Sequence, residues 1–110
     1  MDIGELTINE LKEIVSFTSK ATLDSAYRDL YGKNVLIRTV TMIYTGRVSL
    51  ETQNELILSD AAWIPETNRW SDSLRTCKFA EVEPYLNDVV LNKGAFLDVT
   101  EIDKLPLEQK

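Results

Sequence analysis

Few side chains in this sequence have types and spacings that could do chemistry. Cys77 stands beside Lys78, and a neighbouring cation favours the thiolate on which a reactive cysteine depends. Nucleophilic catalysis by serine or cysteine normally needs a base, however, and the chain contains no histidine. Cys77 is therefore expected to be a partly buried thiol without a catalytic role, and as the only cysteine it forms no intrachain disulfide. Glu81 and Glu83 lie two apart on a segment that reads as extended, so they share a face. Such a pair could hold a hard cation or exchange protons. The same spacing is also the ordinary solvated face of a strand, which is the expected reading. Trp63 and Trp70 are expected to pack on the domain or on a neighbouring subunit, with a base-stacking platform as the alternative. No calcium-binding loop, zinc spacing, phosphate-binding glycine loop or dinucleotide fingerprint occurs. Neither enzymatic activity, nor a metal or cofactor, nor a small-molecule substrate is expected.

The elements that position these residues fit one domain. The chain has 110 residues, enough to bury one core. Its formal net charge of -6 is spread along the sequence without a basic arm or an acidic tail. An acidic balance opposes non-specific attraction to phosphate backbones and anionic lipid. The first residues, MDIGELTINELKE, have no basic region followed by an apolar run, so no secretory signal is expected there. No apolar run approaches membrane-span length. A reducing cytoplasm is the expected location, with no membrane partner.

Residues 5–31 read as helical. Thr7 and Glu10 form a capping box, and Leu11, Ile14, Val15 and Thr18 then share one helical face. A second helix starts at Thr22, and Leu23, Ala26, Tyr27, Leu30 and Tyr31 recur on its inner side. Gly32 suits the left-handed position that ends a helix. From Val35 to Tyr44 the residues are β-branched or large, with apolar side chains on both alternating faces. That pattern suits a strand curled tightly or packed on both sides. Residues 39–42 carry no turn residue and read as continuous strand. Gly46 marks a bend or bulge. Residues 51–54 reverse the chain, and residues 55–60 return it.

Residues 61–88 interrupt this pattern. Residues 61–64 could extend the strand, and residues 65–68 read as a turn around Pro65. Ser71 is expected to cap a short helical turn through Leu74 and Cys77, and Val82 and Glu83 read as extended before Pro84. Strand character resumes at Asp88–Asn92, a tight connection follows at Lys93 and Gly94, and residues 95–102 form another strand. Residues 104–110 are expected to be a short frayed tail.

This order resembles the Sm-like family, which includes the Sm and Lsm proteins and the bacterial riboregulator Hfq. Residues 33–60 are similar to the first family motif, through Val35, Leu36, Ile37 and Arg38, then Gly46, Arg47 and Val48, then Leu56 to Asp60. Residues 89–103 are similar to the second, through Leu91, Asn92, Lys93, Gly94, Ala95, Phe96 and Leu97. Residues 61–88 stand as an insertion between them. The resemblance implies a small, strongly bent, five-stranded antiparallel barrel of the SH3-like kind, mainly β, capped by one or two N-terminal helices. It also implies assembly into a ring of identical subunits, because a barrel this small leaves edge strands that a neighbour can pair. The interface expected from it involves Val89, Val90, Leu91, Phe96, Val99 and Ile102.

Carried over from the family motifs, Asn54, Lys93 and Gly94 are the implied contacts for single-stranded RNA on the pore face. Glu55 stands where the family has an asparagine. Lys93 replaces an arginine, which keeps the charge but loses the planar fork. The acidic balance, Glu55 and the lack of an adjacent aromatic favour a structural or protein-interaction ring. Single-stranded RNA binding is the alternative.

Overall fold

Val35, Leu36 and Ile37 are all fully buried, although consecutive strand residues point to opposite faces of a sheet. That strand is covered on both sides, and the architecture follows from it. The computed structural model describes residues 27–110, so the expected helical residues before Tyr27, with the Thr7–Glu10 cap, lie outside the described residues. Tyr27 and Arg28 are helical, and Gly32 takes a left-handed φ of 79°, as a helix-ending glycine should.

The elements that follow are β1 (Asn34–Thr39), β2 (Ile43–Glu51), β3 (Glu55–Glu66), α1 (Trp70–Thr76), β4 (Glu81–Pro84), β5 (Val89–Asn92) and β6 (Phe96–Glu101), with a 3-10 turn over Lys93–Ala95 joining the last two strands. They form one bent antiparallel sheet in the order β4-β3-β2-β1-β6, and β5 also pairs with β3. The sheet thus has six strands where five were expected. The extra strand, β4, comes from residues 61–88. No ladder joins β5 to β6, so the sheet is open and not a closed barrel.

The outer edge of β3 serves two strands in succession. Residues 55–58 pair with β5, and residues 62–66 pair with β4. Asp60, between them, sits at φ 50°. Aspartate tolerates this left-handed conformation better than most residues, and here it lets the edge change partner. On the other side of β3, the β2 register slips between Thr45 and Arg47, bracketing Gly46 as expected for a bulge.

Three local expectations need correction. Residues 39–42 are a turn between β1 and β2, not continuous strand: Thr39 N–H donates to Met42 O at 2.8 Å, and Met42 N–H donates to Thr39 Oγ1 at 3.0 Å. The Thr39 hydroxyl holds the turn that glycine or asparagine would usually form. β3 runs through Pro65 to Glu66 without reversing. Arg69, rather than Ser71, precedes the first turn of α1, with no side-chain cap bond.

The core has two layers. Inside the bend lie Val35, Ile37, Val48, Leu56, Leu58 and Ala61, with Tyr27, Leu30, Val89, Leu91, Phe96 and Val99 packed against them. On the opposite face lie Leu36, Ala62, Ile64, Cys77, Phe79, Val82 and Ile102, with Ile43, Leu74 and Leu105 alongside. Phe79, Val82 and Cys77 come from residues 61–88. Burying side chains of this size stabilises by roughly 1.5–3 kcal/mol each, so residues 61–88 are structural cover for the second face.

Candidate functional site

Two turns meet at one end of the bent sheet. The β2–β3 turn is held by Thr52, whose N–H donates to Glu55 O at 2.9 Å while its hydroxyl accepts from Glu55 N–H at 2.9 Å and lies 2.6 Å from Glu55 Oε1. The β5–β6 turn docks on it through Lys93 N–H, which donates to Asn54 O at 2.8 Å. Gly94 N–H donates to Asn92 Oδ1 at 2.7 Å, and a Cβ on Gly94 would lie 2.9 Å from that oxygen. Asn54, far in sequence from Lys93 and Gly94, is therefore their neighbour.

The Lys93 side chain does not project from this end. Its Nζ donates to Glu51 Oε2 at 2.6 Å and to Thr52 O at 2.7 Å, and lies 4.6 Å from the centre of the Tyr27 ring. The Lys93 and Glu51 side chains are 13% and 14% exposed. The cation is thus matched by an anion, a carbonyl and an aromatic face. Glu55 and Glu51 against Lys93 leave this end without excess positive charge. Glu51, Thr52 and Tyr27 were not singled out from sequence as site residues. The Tyr27 ring beside Lys93 corrects the expected lack of an adjacent aromatic, which a helix far from Lys93 in the chain supplies. Glu51 is 42 residues from Lys93, and only the docking of the two turns joins them.

The ring-interface candidates divide by burial. Val89, Leu91, Phe96 and Val99 turn inward onto the subunit's own core. Val90 is 61% exposed on β5. Ile102 is 5% exposed in the second core layer, which corrects its expected place on the interface. Leu97 on β6 is also 61% exposed. Beyond the side chains, among the described residues β5 pairs only with β3 and β6 only with β1, so within them each keeps an outer main-chain edge.

At the β1–β2 turn an open groove of about 370 Å³ is lined by Val40, Met42, Trp63, Pro65 and Leu97 among others. Trp63 is half-buried in β3 opposite Tyr44. Trp70 is exposed at the start of α1, with the Arg38 guanidinium 5.5 Å from its ring centre. Arg38 Nε donates to both oxygens of Asp98 at 3.0 Å, and this bonding lowers the Asp98 carboxyl pKa and raises that of Arg38. Burial, followed by the nearby Tyr85, raises the Tyr44 phenol. Trp63 is thus half-buried beside the groove, whereas Trp70 is exposed with Arg38 over one face of its ring.

Cys77 is buried in a left-handed conformation, and its Sγ accepts from Lys104 N–H at 3.4 Å. Glu81 and Glu83 are exposed on either side of buried Val82. Among the described residues no group of His, Cys, Asp and Glu is placed to hold a metal, and no helix is long and apolar enough to cross a membrane.

No protein-family model matches the sequence, and no curated protein matches it. The fold does have a match among solved structures. The crystal structure of a heptameric archaeal Sm protein aligns with a TM-score of 0.54 at 20% identity, over 72% of this chain and 98% of that one. The chain has an Sm-like fold.

Proposed function

We propose that this chain is a subunit of a homo-oligomeric Sm-like ring that works as a structural or protein-interaction module. The similarity to a heptameric protein supports self-assembly. So do the outer edges of β5 and β6, because a head-to-tail contact between them satisfies both and closes by symmetry. The observation that carries the interaction reading over RNA binding is the engagement of Lys93 with Glu51, Thr52 and Tyr27. A phosphate at this end would have to compete with a carboxylate already 2.6 Å from the ammonium. The proximity of Asn54, Lys93 and Gly94 favours the alternative, single-stranded RNA binding.

RNA titration across a salt series separates the two. Oligo-U and oligo-A are expected to show no saturable binding at low salt. Binding that weakens with salt, and weakens further in Lys93→Ala, would overturn the proposal in favour of RNA.

A further inference from the structure

Residues 39–46 are the longest run of this sequence without a charged side chain. They end β1, form the β1–β2 turn and begin β2. Residues 61–65 of β3 are a second uncharged run. The fold brings the two together, and residues of both line the open groove of about 370 Å³, with Leu97. Among the described residues Arg38 is the only charged side chain lining it, and Arg38 is already matched. Its Nε donates to both Asp98 oxygens at 3.0 Å, and its guanidinium lies 5.5 Å from the centre of the Trp70 ring. The groove therefore offers no free cation to an anionic partner and no free anion to a basic one. Its complement is an uncharged surface with an apolar projection.

The chain carries such a projection beside the groove. Val40, at the tip of the turn, is 74% exposed. The turn beneath it is held by the Thr39–Met42 bonds, and the Tyr44 hydroxyl donates to Met42 Sδ at 3.1 Å. A projection already fixed in one conformation loses little entropy on docking. A knob and a groove on one surface are what a two-fold contact needs, because each copy gives what it receives. Elsewhere the net charge of -6 sets copies against one another, whereas no like charges meet across this uncharged tip. The outer edge of β4 is not open to a second copy in the same way. There Val82 and Lys110 exchange main-chain bonds at 3.0 Å, which also seats the tail expected to be frayed.

We propose that this turn end is a two-fold contact with a second copy of the chain, in which the Val40 tip of each copy seats in the groove of the other. Met42, Trp63, Pro65 and Leu97 receive the tip, and Trp70 flanks them across Arg38. Tryptophan, methionine and arginine are the residue types that interface centres favour. The contact adds a self-complementary surface to the head-to-tail edges of β5 and β6 and does not depend on them. Where a ring forms, rotation repeats one groove per subunit, and the contact joins one ring to another.

Light scattering of the full-length chain at micromolar concentration tests this contact. Val40→Asp puts a charge at its centre, to be desolvated on docking, and is expected to halve the mass of the unaltered chain. Val40→Ile should leave the mass unchanged. Thr41→Glu, on the same tip, should also halve it and serves if Val40→Asp does not fold. An unchanged mass in both charged variants would overturn the proposal and leave the groove to a different partner. Because Leu97 also lies on β6, the ring is opened at Val90 instead. Val90→Glu should then retain a mass of twice one chain. A single-chain mass in that variant would overturn this contact while sparing the ring, and a single-chain mass for the unaltered protein would overturn both.

Discussion

Lys93 is the residue at which the resemblance to RNA-binding rings and the structure of this chain part. A lysine at the second motif could present a point charge to a phosphate, but its stem is drawn between two turns and its ammonium is 2.6 Å from Glu51. The pair is nearly buried, so removing one partner leaves the other charge without compensation. Lys93→Ala is expected to lower stability by about 2–3 kcal/mol, and adding Glu51→Gln should restore part of that loss by removing the stranded carboxylate. A urea-denaturation double-mutant cycle measures this coupling. Additive losses would show that Lys93 is not a clamp between the turns.

Among the elements, β2 and β3 set the curvature. Gly46 is buried and lies so close to β3 that an added Cβ would lie 2.8 Å from the Leu58 Cβ. The other atom is next to the main chain and cannot swing aside, so the strands themselves would have to separate. Gly46→Ala is expected to cost about 1–3 kcal/mol by overpacking, read as a lower denaturation midpoint, and an unchanged midpoint would contradict this account of the bend. Asp60 makes the second adjustment, by letting one long strand offer its edge first to β5 and then to β4. Arg47 Nη1 lies 2.8 Å from Asp60 Oδ2, although an exposed pair of this kind adds little.

At the scale of the whole molecule, residues 61–88 change what the sheet is. A bent sheet with one buried face would leave Leu36, Ala62 and Ile64 in water, whereas α1, β4 and residues 103–110 cover them. Among the described residues the edges that stay free are those of β5 and β6, and each carries one exposed apolar residue, Val90 and Leu97. Light scattering at micromolar concentration is expected to give a mass several times that of the chain. Val90→Glu or Leu97→Glu should weaken assembly at least about tenfold, since a charge would be desolvated at the contact. A monomer mass for the unaltered chain would refute the ring.

The sequence by itself determined the strand-rich middle, the bulge at Gly46, the reversal at residues 51–54 and the step at Lys93 and Gly94, because each rests on a local backbone or patterning constraint. Apolar residues on both faces of β1 also announced two-sided packing. What covered the second face could not be read, since Phe79 and Val82 reach it only through the long-range pairing of β3 with β4. The turn at residues 39–42 stayed hidden because a threonine hydroxyl does there what turn residues usually do. Asn54, Lys93 and Gly94 were legible as a group through family motifs, but Glu51 was not. Only the tertiary structure decided that the cation of Lys93 faces inward, because its partner is set by how two distant turns dock and not by any spacing along the chain.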